Sequence, residues 1–258
     1  MRLFFALFLI LCSCSQRNDM KKDQAAISPQ EVRKQQIQRT KHFGELVGRG
    51  VMEFRWSDDD GKHMEQGDVD FWKRGTQVSL RISKLGELLL WFGGNGDQTW
   101  MFDLMEKDTT LRINDNRAMF SDINTALVLL GLAPLPDGKL TVQDGVVKLV
   151  DQSNQQWTAL YDVTTHRPLE LIVVDGEHSS KALHRREMGV ELEGVHELNW
   201  PITGGLIDVS STHGEQKIKI AFESLSTVVS DEPMDRVFDL VYLVKTLKPV
   251  WTYTTKDD

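Results

Sequence analysis

"VSLRISKLGELLLWFGGNGD", Val78 to Asp97, is the stretch that decides the fold of this chain. Val78, Leu80 and Ile82 alternate with Ser79, Arg81 and Ser83, the two-residue period of a strand with one buried face. Leu88 to Phe92 is a continuous apolar run of strand length, and "GGNGD" closes it with a turn. Leu85 falls on the connection between the two runs, outside the clean alternation. A connection this short joins antiparallel strands.

The same period extends outward. Upstream, Met52, Phe54 and Trp56 alternate with Glu53 and Arg55, "SDDDG" supplies a turn, and Val69 and Phe71 follow. Downstream, Trp100, Phe102 and Leu104 alternate, and Leu111 with Ile113 continues the series. The strands break at Ser121. Ser121 or Asp122 caps a short helix with Ile123, Ala126, Leu127 and Leu130 on one face, ended by Gly131 and Pro134. Strands resume over Val146–Val150, Trp157–Val163 and Leu169–Val173, and less regularly near Val190, Leu206 and Ile218. A last helix over 233–247 aligns Met234, Val237, Phe238, Val241, Val244 and Leu247. The predicted architecture is mainly β (α+β). About eleven strands form a strongly curved antiparallel sheet or incomplete β-barrel, with a short helix over its concave face and an added C-terminal helix.

The chain has two cysteines, Cys12 and Cys14, directly after the apolar run Leu3–Leu11 that follows Arg2. As a helix that run measures roughly 14 Å against a ~30 Å hydrocarbon core. A positive charge, a short apolar stretch and small residues follow the order of a secretory signal. Leu11-Cys12-Ser13-Cys14 resembles a bacterial lipobox, which implies cleavage before Cys14 and lipid transfer to its sulfur. Residues 1–13 then form the signal peptide and 14–27 a lipidated tether. Residues 28–258 form one domain, opened by a helix over 29–43 that Ser28 caps and Pro29 starts.

Net charge is −8, unevenly spread. Residues 15–42 hold seven Lys or Arg against three acidic side chains, and residues 43–258 hold 22 basic against 35 acidic. So acidic a body argues against nucleic acid as a partner. No nucleophile–base pair, G-x-S-x-G or H-E-x-x-H motif is present, so no catalytic residue is named and no enzyme is expected. The acidic turn "SDDDG" lacks the alternating carboxylates of a calcium loop. His178, His184 and His196 match no zinc spacing and read as surface histidines. No metal or cofactor is expected.

Aromatic and aliphatic side chains stand out instead. Phe54, Trp56, Val78, Leu80, Ile82, Trp100, Phe102, Leu104, Ile123, Leu127 and Leu130 either fill a core or line an apolar cavity between sheet and helix. Such a cavity would suit acyl chains. Sequence leaves both open.

Ser83-Lys84-Leu85-Gly86, the strand Glu87–Phe92 and the turn from Gly93 resemble strands three and four of the bacterial lipoprotein-localisation (LolA/LolB-like) family. The likeness is closer to its outer-membrane receptor member. The later "GLAPLP" and "YDVTTHRPLEL" are also similar. The resemblance implies an incomplete barrel with a helical lid that holds acyl chains of lipid or lipoprotein. It also implies a membrane-facing role for Leu85, at the place of a protruding apolar loop residue that aids delivery. The expected location is the bacterial cell envelope, lipid-anchored through Cys14 at the outer membrane and facing the periplasm. The alternative is a lipid-anchored, non-enzymatic scaffold for a periplasmic protein partner.

Overall fold

The computed structural model describes residues 28–58, 61–95, 98–105, 107–114, 122–143, 146–152, 154–161, 168–190, 192–193, 203–212, 216–227 and 231–254. The lipobox, Cys14 and the tether 14–27 lie outside the described residues. Helix α1 (Pro29–Lys41) starts where Ser28 accepts the backbone N–H of Glu31 at 3.1 Å, with Pro29 at the first turn. It stops at Lys41 rather than at Phe43. Phe43 leaves the helix and drops into the core at 2% exposure.

A long hairpin follows, β1 (Glu45–Asp58) and β2 (Gly61–Arg74), then β3 (Gln77–Lys84), β4 (Glu87–Gly94), β5 (Thr99–Asp103) and β6 (Thr110–Ile113). Helix α2 (Ile123–Leu129) is capped by Asp122, whose side chain accepts from Asn124 N. Next come β7 (Gly138–Gln143), β8 (Val146–Asp151), β9 (Gln156–Tyr161), β10 (Pro168–Asp175) and β11 (His178–Val190). After them run β12 (Leu192–Glu193), β13 (Thr203–Ser211) and β14 (Lys217–Ser226). The expected single C-terminal helix is two, α3 (Asp231–Phe238) and α4 (Leu240–Leu247). The break falls at Asp239, which takes an extended conformation and caps α4 by accepting Tyr242 N at 3.1 Å. The chain then adds β15 (Trp251–Thr254).

These strands form one curved, open sheet of 15 strands in the order β15-β6-β5-β4-β3-β2-β1-β14-β13-β11-β10-β9-β8-β7, with β12 beside β14. Its pairings are antiparallel except β15 with β6 and β12 with β14. Strand partners share a face, so the ladder sorts every side chain onto one of two sides. Val69, Phe71, Val78, Leu80, Ile82, Leu90 and Phe92 fall on the side that carries α2, in a cluster with Leu127, Leu130 and Trp157. Trp72, Trp91, Trp100, Phe102 and Leu111 fall on the other side, beneath Met234, Val237, Phe238 and Leu243 of the C-terminal helices. Arg74 fastens α3 there by pairing with Asp235 and Glu45.

Candidate functional site

The β3–β4 connection is a two-residue turn, Leu85-Gly86, closed by the Lys84–Glu87 pair. Both central residues have positive φ, +53° and +85°, the mirror-image turn that matches strand twist. Glycine adopts that backbone freely, whereas leucine does so at a cost. Leu85 is also 97% exposed. An apolar side chain thus sits in a strained position with nothing of its own domain to bury against.

The same rim of the sheet carries the β1–β2 tip. The β1 ladder to β14 ends at Arg55 and the β2 ladder to β3 begins at Asp68, while β1 and β2 pair on to Asp58 and Gly61. The tip is therefore a two-stranded ribbon. Trp56 stacks on its cross-strand partner His63 at 5.0 Å and 16° and on Phe54 at 5.0 Å and 18°. Phe54 meets Phe92 edge-on at 6.1 Å, so an aromatic column runs from the core to the rim. Met64 beside it is 56% exposed.

Helix α2 crosses the interior face above these strands. At its start Ile123 lies against Gly94, where a Cβ would come within 2.3 Å of the isoleucine. At its end the Leu129 carbonyl has no partner within the helix and is bonded at 2.8 Å by His184 Nε2 from β11. His184 is therefore buried, at 6% exposure, and not the surface residue its charged neighbourhood predicts. His178 is exposed, and His196 lies outside the described residues. Beyond the helix, Arg33 of α1 donates to the carbonyls of Leu135 and Pro136 at 2.8 and 2.9 Å, and Gln36 accepts Leu135 N at 3.3 Å. Both ends of the α2 segment are fastened.

Of the residues predicted to line a cavity, Phe54, Val78, Leu80, Ile82, Ile123, Leu127 and Leu130 share one buried cluster, with Trp56 half-buried at its margin. Trp100, Phe102 and Leu104 are not among them. Trp100 pairs with Gly93 and Phe102 with Trp91, which puts the two rings on the opposite side of the sheet, and Leu104 packs with them against the C-terminal helices. Sequence missed this because Leu88 to Phe92 is apolar at both parities, so it gives no phase to β5. In this structure the α2-side residues pack against one another. Among the described residues no group of three or more His, Cys, Asp or Glu is placed to hold a metal ion.

Lys73 is a further feature of the α2 side. It is 5% exposed between Leu46 and Val78 and donates to the Phe43 carbonyl. Burial lowers its pKa from 10.5 to about 8.

No protein-family model and no curated protein matches the chain. Among solved structures, a DUF1329 family protein from Desulfovibrio piger aligns with 84% of this chain and 99% of its own at 11% identity and a TM-score of 0.43. A domain from Vibrio parahaemolyticus assigned to outer membrane lipoprotein sorting aligns with 80% and 95% at 10% identity and a TM-score of 0.41. At these values the likeness carries no argument about chemistry.

Proposed function

We propose that this chain is a lipid-anchored protein of the bacterial cell envelope that receives acyl chains of lipid or lipoprotein between α2 and the sheet, in the service of lipoprotein localisation. Its anchor is the lipid on Cys14, placed at the outer membrane and facing the periplasm. The observation that carries the reading is Leu85. A leucine held 97% exposed at φ +53° contributes nothing to its own fold, and such positions mark function. Inserted into a bilayer interface it would gain ~1.5–3 kcal/mol of transfer energy. The aromatic column Phe92–Phe54–Trp56–His63 leads from that rim inward. An acyl chain would displace the apolar face of α2, taking its place against Leu80, Ile82 and Phe92.

Leu85→Glu tests the reading in a liposome transfer assay, with Cys14→Ser as the control that loses membrane anchoring. The expected result is slower transfer with a melting temperature almost unchanged. Transfer at the wild-type rate would sink the proposal. A second reading, a scaffold for a periplasmic protein partner, is favoured by one observation. Strand β15 ends the sheet with every residue exposed, Trp251 at 55% and Tyr253 at 57%, and carries neither charge nor proline to discourage strand pairing. A chain recovered free of lipid, whose tryptophan fluorescence gives no saturable response to a fatty-acyl probe, decides for the scaffold.

A further inference from the structure

We propose that the β7–β11 half of the interior orients its guest, with an ester or carboxyl oxygen accepting the indole N–H of Trp157 and the hydrocarbon running over Ala159 and Ala182. This rests on the acyl-chain reading above and adds a polar subsite to it.

The ladder sets out the α2 side of this half in rows. Leu149, Trp157, Val173, Ser180 and Ser211 lie level across β8, β9, β10, β11 and β13. One pleat further in lie Val147, Ala159, Leu171, Ala182 and Val209. The first row is the one nearer the rim that carries Leu85, since β3, β10 and β13 run the same way and end there. The first row holds the polar groups. Ser180 Oγ donates to Ser211 Oγ at 3.0 Å, and among the described residues Trp157 Nε1 has no acceptor although the residue is only 2% exposed. The second row is wholly apolar, and both alanines in it are 0% exposed.

A buried N–H without an acceptor destabilises, and phenylalanine would bury the same ring face without that cost. Trp100 also lacks an acceptor, but its ring lies on Gly93, where a Cβ would come within 2.4 Å of it, so its shape has a packing use. Trp157 sits instead between Leu149 and Val173, with no glycine paired to it. An amphiphile supplies what this arrangement lacks. With an oxygen at Trp157, methylenes several carbons along the chain reach the alanine row ~7 Å further in, the distance between side chains two residues apart on a strand. Whatever the acyl chain is attached to then stays at the rim.

The test uses the full chain carrying Cys12→Ser and Cys14→Ser, labelled with ¹⁵N in its tryptophan indoles, with methyl palmitate and hexadecane as probes. Methyl palmitate is expected to move one indole N–H resonance downfield, the one missing from Trp157→Phe, while hexadecane leaves that resonance without the downfield shift. Trp157→Phe is expected to weaken methyl palmitate binding roughly 2- to 10-fold and to leave hexadecane binding unchanged. The ester-against-alkane comparison on unsubstituted Trp157 stands even if the variant folds poorly. If both probes bind and the Trp157 resonance answers neither or both alike, a structural water satisfies the indole and this proposal falls alone. If neither probe binds, the acyl-chain reading falls and takes the subsite with it.

Discussion

Strands β4 and β8 belong to the same sheet and could hardly be buried more differently. In β4, Leu90 to Gly94 are all buried; in β8, the buried Val147 and Leu149 alternate with the exposed Lys148 and Val150. The difference is not in the strands but in what covers them. The β2–β6 half has α2 on one side and α3–α4 on the other, whereas no described helix packs on the outer side of β7–β10. A wall clamped from both sides holds its shape. A wall covered on one side rests on a single layer of contacts.

Removing residues 231–258 strikes the comparison hardest. It takes away Met234, Val237, Phe238 and Leu243, all buried, at ~1.5–3 kcal/mol each. That sum of about 6–12 kcal/mol rivals the whole stability of a domain, so no cooperative melt is expected by circular dichroism. A cooperative melt would mean that the outer cover is dispensable. Next in size, Phe102→Ala is expected to cost about 3–5 kcal/mol in denaturant unfolding. Val150→Ala, on the uncovered side of β8, should stay within ~0.5 kcal/mol, and comparable losses at the two positions would erase the distinction.

Lys73 shows what burial on the α2 side does to a charge. The unfolded chain keeps the proton that folded Lys73 releases between pH 8 and 10.5, so stability should be flat below about 8 and climb across that window. Lys73→Met should abolish the climb and stabilise the protein at pH 7 by about 1–3 kcal/mol, the relief from burying the charge less the lost bond to Phe43. Thermal melts over the pH series check both. The smallest effect belongs to the turn. Leu85→Asn, which tolerates positive φ, should raise stability by about 0.5–1 kcal/mol while slowing liposome transfer. A loss of stability would show that Leu85 supports its own fold.

Where one side faces water, the sequence could be read. The alternation in β1, the Ser28 cap, the hairpin turns and the apolar face of α2 all came from local pattern, because burial on one side imposes period two or period 3.6. Strand β3 is covered on both sides, and its alternation was legible only because Ser79 and Arg81 occupy the second face. The reading failed where cover came from far along the chain. Trp100 and Phe102 lost their phase because α3 makes both sides of β4 apolar. His184 looked exposed because its partner, the Leu129 carbonyl, lies on another element. Strand β15 is four residues long and has too little pattern to be seen at all, and β7 carries only Leu140 and Val142 as apolar points. The break at Asp239 hid inside a continuous apolar stripe.

The parallel pairing of Trp251–Thr254 with Thr110–Ile113 sets an order on the birth of the molecule. Strands β2 to β6 leave the ribosome before the helices that shield Trp72, Trp91, Trp100 and Phe102 and before the strand that caps β6. A nascent chain therefore carries a broad aromatic surface until α3 and α4 have been made. Such a surface invites aggregation and holdase binding until its cover arrives. A polypeptide that stops before α3 leaves that surface adhesive, and one that continues through α4 covers it.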